Sequence, residues 1–457
     1  MPISPARTAA FDILLRVERE SSYGADLLHS ASYAALGKKD HGLATELVMG
    51  VLRWRSRLDE EIAQASSQPL AKLDLEILIA LRLAVYQLRY LTRIPQRAAL
   101  NESVELVKRA RKRSAAPFVN AVLRKLLKQP RSLAGAAAPF AEDSPAQALA
   151  AAWANPIWLV ERWCAHYGPS AARAICEQNQ TVPTTMIRLR AAGVDEAAVE
   201  AELAAEGIVL DPGSLLPTAR RVASGDVTQT AAFRNGQIVI QDEASQLVAA
   251  LAGRIEKKDA RILDCCAAPG GKTLAMADAN PAAEIVAVEV HPHRARLMQQ
   301  LWGSEARKIM TVIADARDLP LMAQFDRVLV DAPCSGTGTL GRNPEIKWQL
   351  KSEDLTELHE RQVAIVRSAL KQLRRGGRLV CSTCSLEKEE NEDVIARVLA
   401  EDKSLRTIDC RGELERMRGT GELTWPNPFS LTSGPYLRTI PGIHACDGFF
   451  AAIVERG

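Results

Sequence analysis

The sequence has no run of about 18 uninterrupted apolar residues, so a membrane-spanning helix is not expected. Its first residues, MPISPARTAAFDILLRVERE, scatter charges among apolar positions, and no cleavage site follows an apolar block, so they do not read as a signal peptide. Cysteine is sparse, nine in 457 residues, and its spacing is irregular. That pattern argues against a disulfide framework and for a reducing, cytoplasmic setting in which most cysteines are small core residues. The glycine turn CCAAPGGKT also lacks two phosphate-binding signatures. It is neither G-x-G-x-x-G nor G-x-x-x-x-G-K, which removes from it the usual warrants for a dinucleotide or a nucleoside triphosphate.

What is present is a chain 47% hydrophobic and 25% charged, long enough for two or three domains with sizeable cores. The net charge of +3 is unevenly spread. Residues 1–130 hold 21 Lys and Arg against 13 Asp and Glu, a net +8; the rest holds 37 against 42, a net −5. Within 108–128, KRARKRSAAPFVNAVLRKLLK, eight basic residues occur without an acid. A basic N-terminal part on a mildly acidic body points to an anionic partner, although a solvated helix face has the same composition.

Hydrophobic spacing divides the chain into three parts, 1–140, 141–235 and 236–457. The first reads as all helical: AAFDILLRVE, LATELVMGVLRW, LEILIALRLAVYQL and NESVELVKRA repeat apolar residues every three or four positions, with Asn101 a candidate cap for the last. Ala- and Pro-rich sequence, LAGAAAPFAEDSPAQALAAAWANP, then reads as a linker into a helix at WLVERWCAHYG. TTMIRLR and IVLD, with the helical DEAAVEAELAAEG between them, predict a small α+β unit. From Gly236 strands and helices alternate. ARILD, EIVAVEV, KIMTVIA, FDRVLVD and RLVCS are the strand candidates, and GFFAAIVE is a further one at the end of the chain. This alternation predicts an α/β, Rossmann-like, doubly wound parallel sheet.

Ligands of such sheets bind beyond the carboxyl ends of the strands. The first strand runs into CCAAPGGKT, a tight turn at Pro269, Gly270 and Gly271 that opens a helix. The second ends at Glu289, suited to ribose hydroxyls, and the third leads to Asp315, suited to an exocyclic amine. Each is commonplace alone; three in succession describe a nucleoside pocket, and without a phosphate-binding signature in the turn after the first strand S-adenosylmethionine is a better candidate than NAD. The fourth strand delivers DAPCSGTGTLGRNPEIKW, with Asp331 and Cys334, and the fifth delivers CSTCS. Cys381 and Cys384 are three apart, so a continuing strand would turn them to opposite faces. A zinc site needs about four ligands, and His444 and Cys446 are the only further candidates, so no metal is expected. Cys381 is therefore read as a buried strand residue and Cys384 as facing the site.

Two thiols, a carboxylate and a methyl-donor pocket suit one chemistry. Carbon 5 of cytosine is a poor nucleophile until a thiolate adds to carbon 6, helped by an acid at ring nitrogen 3. A free thiol titrates near about 8.5, so the site must favour the thiolate, and Lys272 is a candidate source of positive charge. The base must also leave its stack. These arguments leave open which of Cys334 and Cys384 attacks.

LDCCAAPGGKT, DAPCSGTGTLGRNPEIKW and VCSTCSLEKEENEDVI closely resemble the signature motifs of the Nop/Sun family of RNA cytosine-5 methyltransferases, and QDEASQL and DGFFAA resemble its flanking motifs. Residues 1–130 resemble the NusB-like RNA-binding domain. With the small domain between, the chain resembles the bacterial branch that methylates a cytosine of 16S ribosomal RNA. The resemblance implies Cys384 as nucleophile, Cys334 in product release, and Asp331 at the base and methyl donor. It places S-adenosylmethionine against Cys266, Ala267, Ala268, Pro269, Gly270, Gly271, Lys272, Glu289, Arg294, Asp315 and Asp331. Glu289 departs from the family, which more often has Asp there. RNA contacts are expected from Lys108, Arg109, Arg111, Lys112, Arg113, Arg124, Lys125 and Lys128, with Arg342 added from the glycine-rich loop. The partner implied is 16S rRNA or a small-subunit assembly intermediate, bound by a monomer. Transfer RNA or 23S rRNA as substrate, and a non-catalytic RNA-binding factor, are the alternatives. An amino methyltransferase of this fold would carry Asn/Asp-Pro-Pro-aromatic where this chain has Asp-Ala-Pro-Cys.

Overall fold

The computed structural model describes residues 3–129, 145–190, 195–322 and 324–457. The first half of the Ala- and Pro-rich stretch expected as a linker, 133–144, falls outside them with the expected boundary at 140/141; its second half contains the helix Pro145–Ala152, which buries Ala146, Leu149 and Ala150. The chain forms two compact units, Met1–Val182 with Leu340–Leu350, and Pro183–Thr339 with Lys351–Gly457.

The first unit is helical. Its main helices are Pro5–Glu20, Lys38–Ala65, Leu75–Tyr90, Gln96–Arg109, Ala116–Leu127 and Ile157–Gln178. Leu75–Tyr90 is buried on nearly every side, which matches a segment apolar all round rather than striped. Its one interior cation, Arg82, is satisfied by Asp59 (2.7 Å to each oxygen) and Glu18 (3.0 Å). Asn101 does not cap a helix. The apolar periodicity extends back through the buried Ala99, so the helix begins at Gln96 and Asn101 lies in its second turn. The WLVERWCAHYG helix runs on to Gln178 across a break at Gly168 (φ 82°) and Pro169.

An eleven-residue segment far along the chain, Leu340–Leu350, completes this unit. Lys347, 1% exposed, donates to the carbonyls of Arg53 (3.0 Å) and Ala154 (2.6 Å). Trp348 Nε1 donates to Leu52 O (2.6 Å), Arg53 donates to Gly341 O (3.0 Å), and Glu345 accepts from Gly24 N (2.8 Å). Two carbonyl acceptors can be served by a neutral amine, and burial lowers the Lys347 pKa to about 7.

The second unit holds two sheets. The smaller is antiparallel, in the order β2-β3-β1-β4, from β1 (Met186–Leu189), β2 (Val209–Pro212), β3 (Ala219–Ser224) and β4 (Ile238–Ile240). Its helix Glu196–Ala205 ends before Gly207, whose φ of 81° suits a helix stop.

The larger sheet carries β5 (Arg261–Asp264), β6 (Glu284–Glu289), β7 (Ile309–Ile313), β8 (Phe325–Asp331) and β9 (Leu373–Thr383), all parallel in the order β7-β6-β5-β8-β9. Chain order reverses beside β5, the first strand, where a crevice opens. The sheet is not purely parallel. β13 (Phe450–Arg456) runs antiparallel to β9, and its outer edge is shared by β12 (Tyr436–Arg438) and β10 (Leu405–Ile408), with β11 (Thr432–Ser433) beyond β12. Strand residues alternate between two cores: Ile262, Leu329 and Val380 face one, and Leu263, Val328, Val330 and Cys381 the other. Helices Gly271–Ala279 and Pro292–Trp302 cover the first face; Asp354–Gln372 and Glu392–Glu401 cover the second.

Lys347 yields a test. Its pKa is depressed in the folded chain, so between about pH 7 and its unfolded value of about 10.4 the unfolded state binds the extra proton and stability rises with pH. The denaturation free energy of the wild type relative to Lys347→Met should therefore grow from pH 7 to pH 10, by at most about 1.4 kcal/mol per pH unit. Parallel pH profiles of the two proteins would show that this lysine is buried as a cation.

Candidate active site

The strand ends expected to build a pocket do converge. A cavity of about 400 Å³ is lined by Cys266, Ala268, Glu289, Arg294, Asp315, Asp331, Cys334 and Cys384 from the expected set. Ala267, Pro269, Gly270, Gly271 and Lys272 do not line it. His291, Arg317, Arg361 and Ile365 do, and sequence reasoning missed them. Arg317 was within reach of that reasoning, two residues after Asp315 in DARD. Arg361 and Ile365 sit on the helix Asp354–Gln372, where nothing in the local sequence marks them.

The loop after β5 is shaped by Gly270. Its φ is 104°, and its carbonyl accepts from Nε1 of the buried Trp302 (3.0 Å). Below the loop, Asp264 is fully buried and accepts from Thr273 Oγ1 (2.7 Å); burial raises its pKa to about 7. Lys272, on the first turn of the following helix, reaches Asp331 at 2.7 Å and lies 5.1 Å from the Phe449 ring. Burial pushes its pKa down, but attraction to Asp331 and the hydrogen bond outweigh it, so the net shift is upward and Lys272 stays an ammonium. The other Asp331 oxygen accepts from Ser382 Oγ (2.8 Å), so the carboxylate is held from two sides.

Glu289 accepts from His291 N (2.9 Å), and Arg294 stands 3.8 Å away. Asp315 is clamped by Arg317 through both oxygens, Nε to Oδ1 at 3.1 Å and Nη2 to Oδ2 at 2.6 Å, and that pairing lowers its pKa.

The two cysteine-bearing loops meet. Cys334 Sγ and Cys384 Sγ are 3.4 Å apart. The hydrogen bond to Cys384, with burial, raises the Cys334 pKa well above that of a free thiol. Cys381 lies on β9 in the opposite core, 3% exposed, its pKa raised to about 12 by burial. Cys-X-X-Cys is thus two thiols with different surroundings. His444 is engaged in its own turn, with Nδ1 accepting from Ile440 N (2.8 Å) and Nε2 3.0 Å from Ser430 O. Among the described residues no cluster of three or more His, Cys, Asp or Glu is arranged to hold a metal ion.

The basic segment is only partly unpaired. Lys108 bonds Glu105 (2.7 Å), Arg109 grips Asp12 (2.7 and 2.8 Å), Lys112 pairs with Asp74 (2.9 Å), and Lys125 donates to Gln64 O (3.1 Å). Asp12 comes from the helix Pro5–Glu20 and Asp74 from the residue before Leu75–Tyr90, so an acid-free stretch of sequence is not an acid-free surface. Arg111, Arg113, Arg124 and Lys128 are exposed, and no carboxylate pairs with them among the described residues. Arg342 is half-buried in the helical unit.

Comparison with known proteins agrees with this anatomy. The family model for 16S rRNA methyltransferase RsmB/F matches residues 251–455, that for the NusB family matches 4–128, and that for the RsmF/B-like ferredoxin-like domain matches 155–228. The probable ribosomal RNA small subunit methyltransferase B of Bacillus subtilis is 33% identical over the whole of both chains. The chain belongs to the RsmB/F family. Ribosomal RNA small subunit methyltransferase B of Shewanella oneidensis is 31% identical over 98% of this chain and 97% of its own. Among solved structures, that of PH0851 covers 100% of both chains at a TM-score of 0.80 and 22% identity. NSun6 from Pyrococcus horikoshii with SFG covers 66% of this chain and 98% of its own at 0.56 and 21%. These two likenesses concern the fold. The RsmB/F family assignment accounts for the all-helical NusB-like part, the small middle domain and the methyltransferase core.

A Cβ on Gly270 would stand 2.7 Å from Trp302 Nε1, and the backbone there is left-handed. Gly270→Ala should lower stability by about 2–4 kcal/mol, the sum of a strained φ and overpacking against a buried indole. A denaturant midpoint equal to wild type would mean that the loop has room to relax.

Proposed function

We propose that this protein methylates carbon 5 of a cytosine in 16S rRNA, using S-adenosylmethionine and a covalent thiol adduct. The observation that carries the reading is the pair of thiols 3.4 Å apart, beside the Lys272–Asp331 pair, in a cavity whose other wall bears acids at successive strand ends.

The cavity suits the methyl donor chemically. Glu289 offers a carboxylate for ribose hydroxyls and Asp315 one for an amine, while Cys266 and Ala268 bring the loop to its edge. When bound, S-adenosylmethionine supplies an electrophilic methyl group carried on a sulfonium. Everything else falls to the chain. Cys384 attacks carbon 6 of the flipped cytosine as a thiolate, and the displaced electron pair moves to ring nitrogen 3. Asp331 is directed at that nitrogen, and the proton it takes comes through the Asp331–Lys272 pair. Lys272, held as an ammonium by Asp331, keeps a positive charge at the site. After methylation a water molecule takes the proton from carbon 5, the carbon–sulfur bond breaks, the Cys384 thiolate leaves, and ring nitrogen 3 returns its proton to the Asp331–Lys272 pair. Cys334, whose neighbours keep it protonated, acts in this release step. That division matches the resemblance: the thiol held as a thiol serves release, and its neighbour serves attack.

The helical unit supplies RNA affinity through phosphate contacts. Family membership favours the small-subunit RNA named in the relatives. The partner is then 16S rRNA or an assembling small-subunit particle, and the setting is the cytoplasm. No helix among the described residues is long and apolar enough to cross a membrane.

Bisulfite sequencing of ribosomal and transfer RNA, with and without the protein, should show one protected cytosine in 16S rRNA; protection only in transfer RNA would move the substrate. Cys384→Ala should abolish methyl transfer and retain S-adenosylmethionine binding, whereas Cys334→Ala should accumulate an enzyme–RNA adduct that survives denaturing electrophoresis. Full activity of the first variant would refute the covalent mechanism. Reversing the charge of Arg111, Arg113, Arg124 and Lys128 should weaken RNA binding and flatten its salt dependence by about 0.7–0.9 per lost phosphate contact. Unchanged affinity would make them a solvated face.

A further inference from the structure

The β8–β9 ladder stops at the cysteine loops. Its last rungs are Asp331 opposite Ser382 and the bond from Ala332 N to Ser382 O (2.9 Å). Past that point the loops carrying Cys334 and Cys384 have no strand pairing to hold them together. A single carboxylate replaces it. Glu390, 1% exposed, lies in the turn Lys388–Glu390 within a run that reads as charged and solvated. Four donors converge on it. Ser335 N (2.8 Å) and Gln362 Nε2 (2.9 Å) reach Oε1, and Ser385 Oγ (2.5 Å) and Ser335 Oγ reach Oε2. Ser335 follows Cys334 and Ser385 follows Cys384, so the two oxygens of Glu390 join the residues next to the two thiols.

The rest of the junction works in the same direction. Gln362 also donates to Pro333 O (3.0 Å), and Gly338 N donates to Cys384 O (2.9 Å). A Cβ on Gly338 would lie 2.8 Å from that carbonyl, so the loops are in close backbone contact.

We propose that Glu390 is a positioning residue that sets the separation of Cys334 and Cys384 by clamping Ser335 and Ser385. The geometric claim stands independently of the methyl-transfer reading; its consequence for turnover rests on that reading. A carboxylate is needed because all four partners act as donors. An amide can accept at one position only, and it would present an N–H where two serine hydroxyls already point.

The test reads thiol separation directly. Full-length protein is treated with diamide, which takes two electrons and two protons from the thiols to become the hydrazine while a disulfide forms. Peptide mass mapping follows the Cys334–Cys384 link over time. Wild type should form it readily, and Glu390→Gln should form it at least tenfold more slowly, with an unchanged unfolding midpoint and unchanged S-adenosylmethionine affinity. Methylation by Glu390→Gln should fall in kcat and not in KM for the methyl donor. Ser385→Ala, which removes the tether beside Cys384 together with the acceptor of Glu387 N (3.0 Å), should slow the link by a smaller factor, and it carries the test should Glu390→Gln fail to fold. A folded Glu390→Gln, or in its absence Ser385→Ala, that links at the wild-type rate overturns the proposal. Slower linking in a protein whose wild type methylates no RNA would instead uphold the clamp and refute the functional reading.

Discussion

The parallel pairing of β8 with β9 determines where the chemistry can occur. The register sets Val330 opposite Cys381 and Asp331 opposite Ser382, so both strands end at one level and release their loops side by side. Asp331 is held by a side chain from each neighbour of β8, Ser382 on β9 and Lys272 on the helix after β5. Cys334 and Cys384 come into contact for the same reason. A one-residue slip would turn Asp331 into the opposite core and separate the thiols. Once strand pairing ends, buried backbone groups need other partners, and Thr337, Ser385, Glu390 and Asn391 supply them. Thr337 Oγ1 accepts from Leu386 N (2.9 Å) and Asn391 donates to Ser385 O (2.9 Å).

Much of this was legible in the sequence because parallel strands buried on both faces are short, β-branched and separated by helices. RILD, EIVAVE, IMTVI and FDRVLVD stood out, and their ends identified Glu289, Asp315, Asp331 and Cys334. The alternation of side chains along a strand is enough to separate Cys381 from Cys384. Strands without an apolar run of their own, β3, β11 and β12 among them, were not legible. ARRVAS in β3 is polar and half exposed, and β11 and β12 exist only because they add to an edge that β13 already offers. The start of β9 was hidden too, since LRR continues the apolar spacing of the preceding helix.

Burial of charge was the least readable property. LEKEENED looks like a solvent-exposed run, yet Glu387, Glu390 and Asn391 are buried, because the loops they serve have donors without partners. Lys347 is another such case. In DAPCSGTGTLGRNPEIKW the first half forms the thiol loop and the second half is an element of the helical unit, where Lys347 and Trp348 donate to carbonyls of the helix Lys38–Ala65. One sequence motif therefore serves two units, a division that no local pattern shows. The basic segment fails in the opposite sense: charges that look unopposed in sequence meet Asp12 and Asp74 from distant parts of the chain.

The central claim is that Cys384, not Cys334, bonds to the target base. RNA carrying 5-fluorocytosine has no proton to lose from carbon 5 after methylation, so the adduct cannot collapse and the enzyme should remain attached. Digestion and mass spectrometry of the trapped complex should find the nucleotide on the peptide bearing Cys384. A nucleotide on the peptide bearing Cys334, or no adduct from an enzyme that methylates ordinary RNA, would contradict the account.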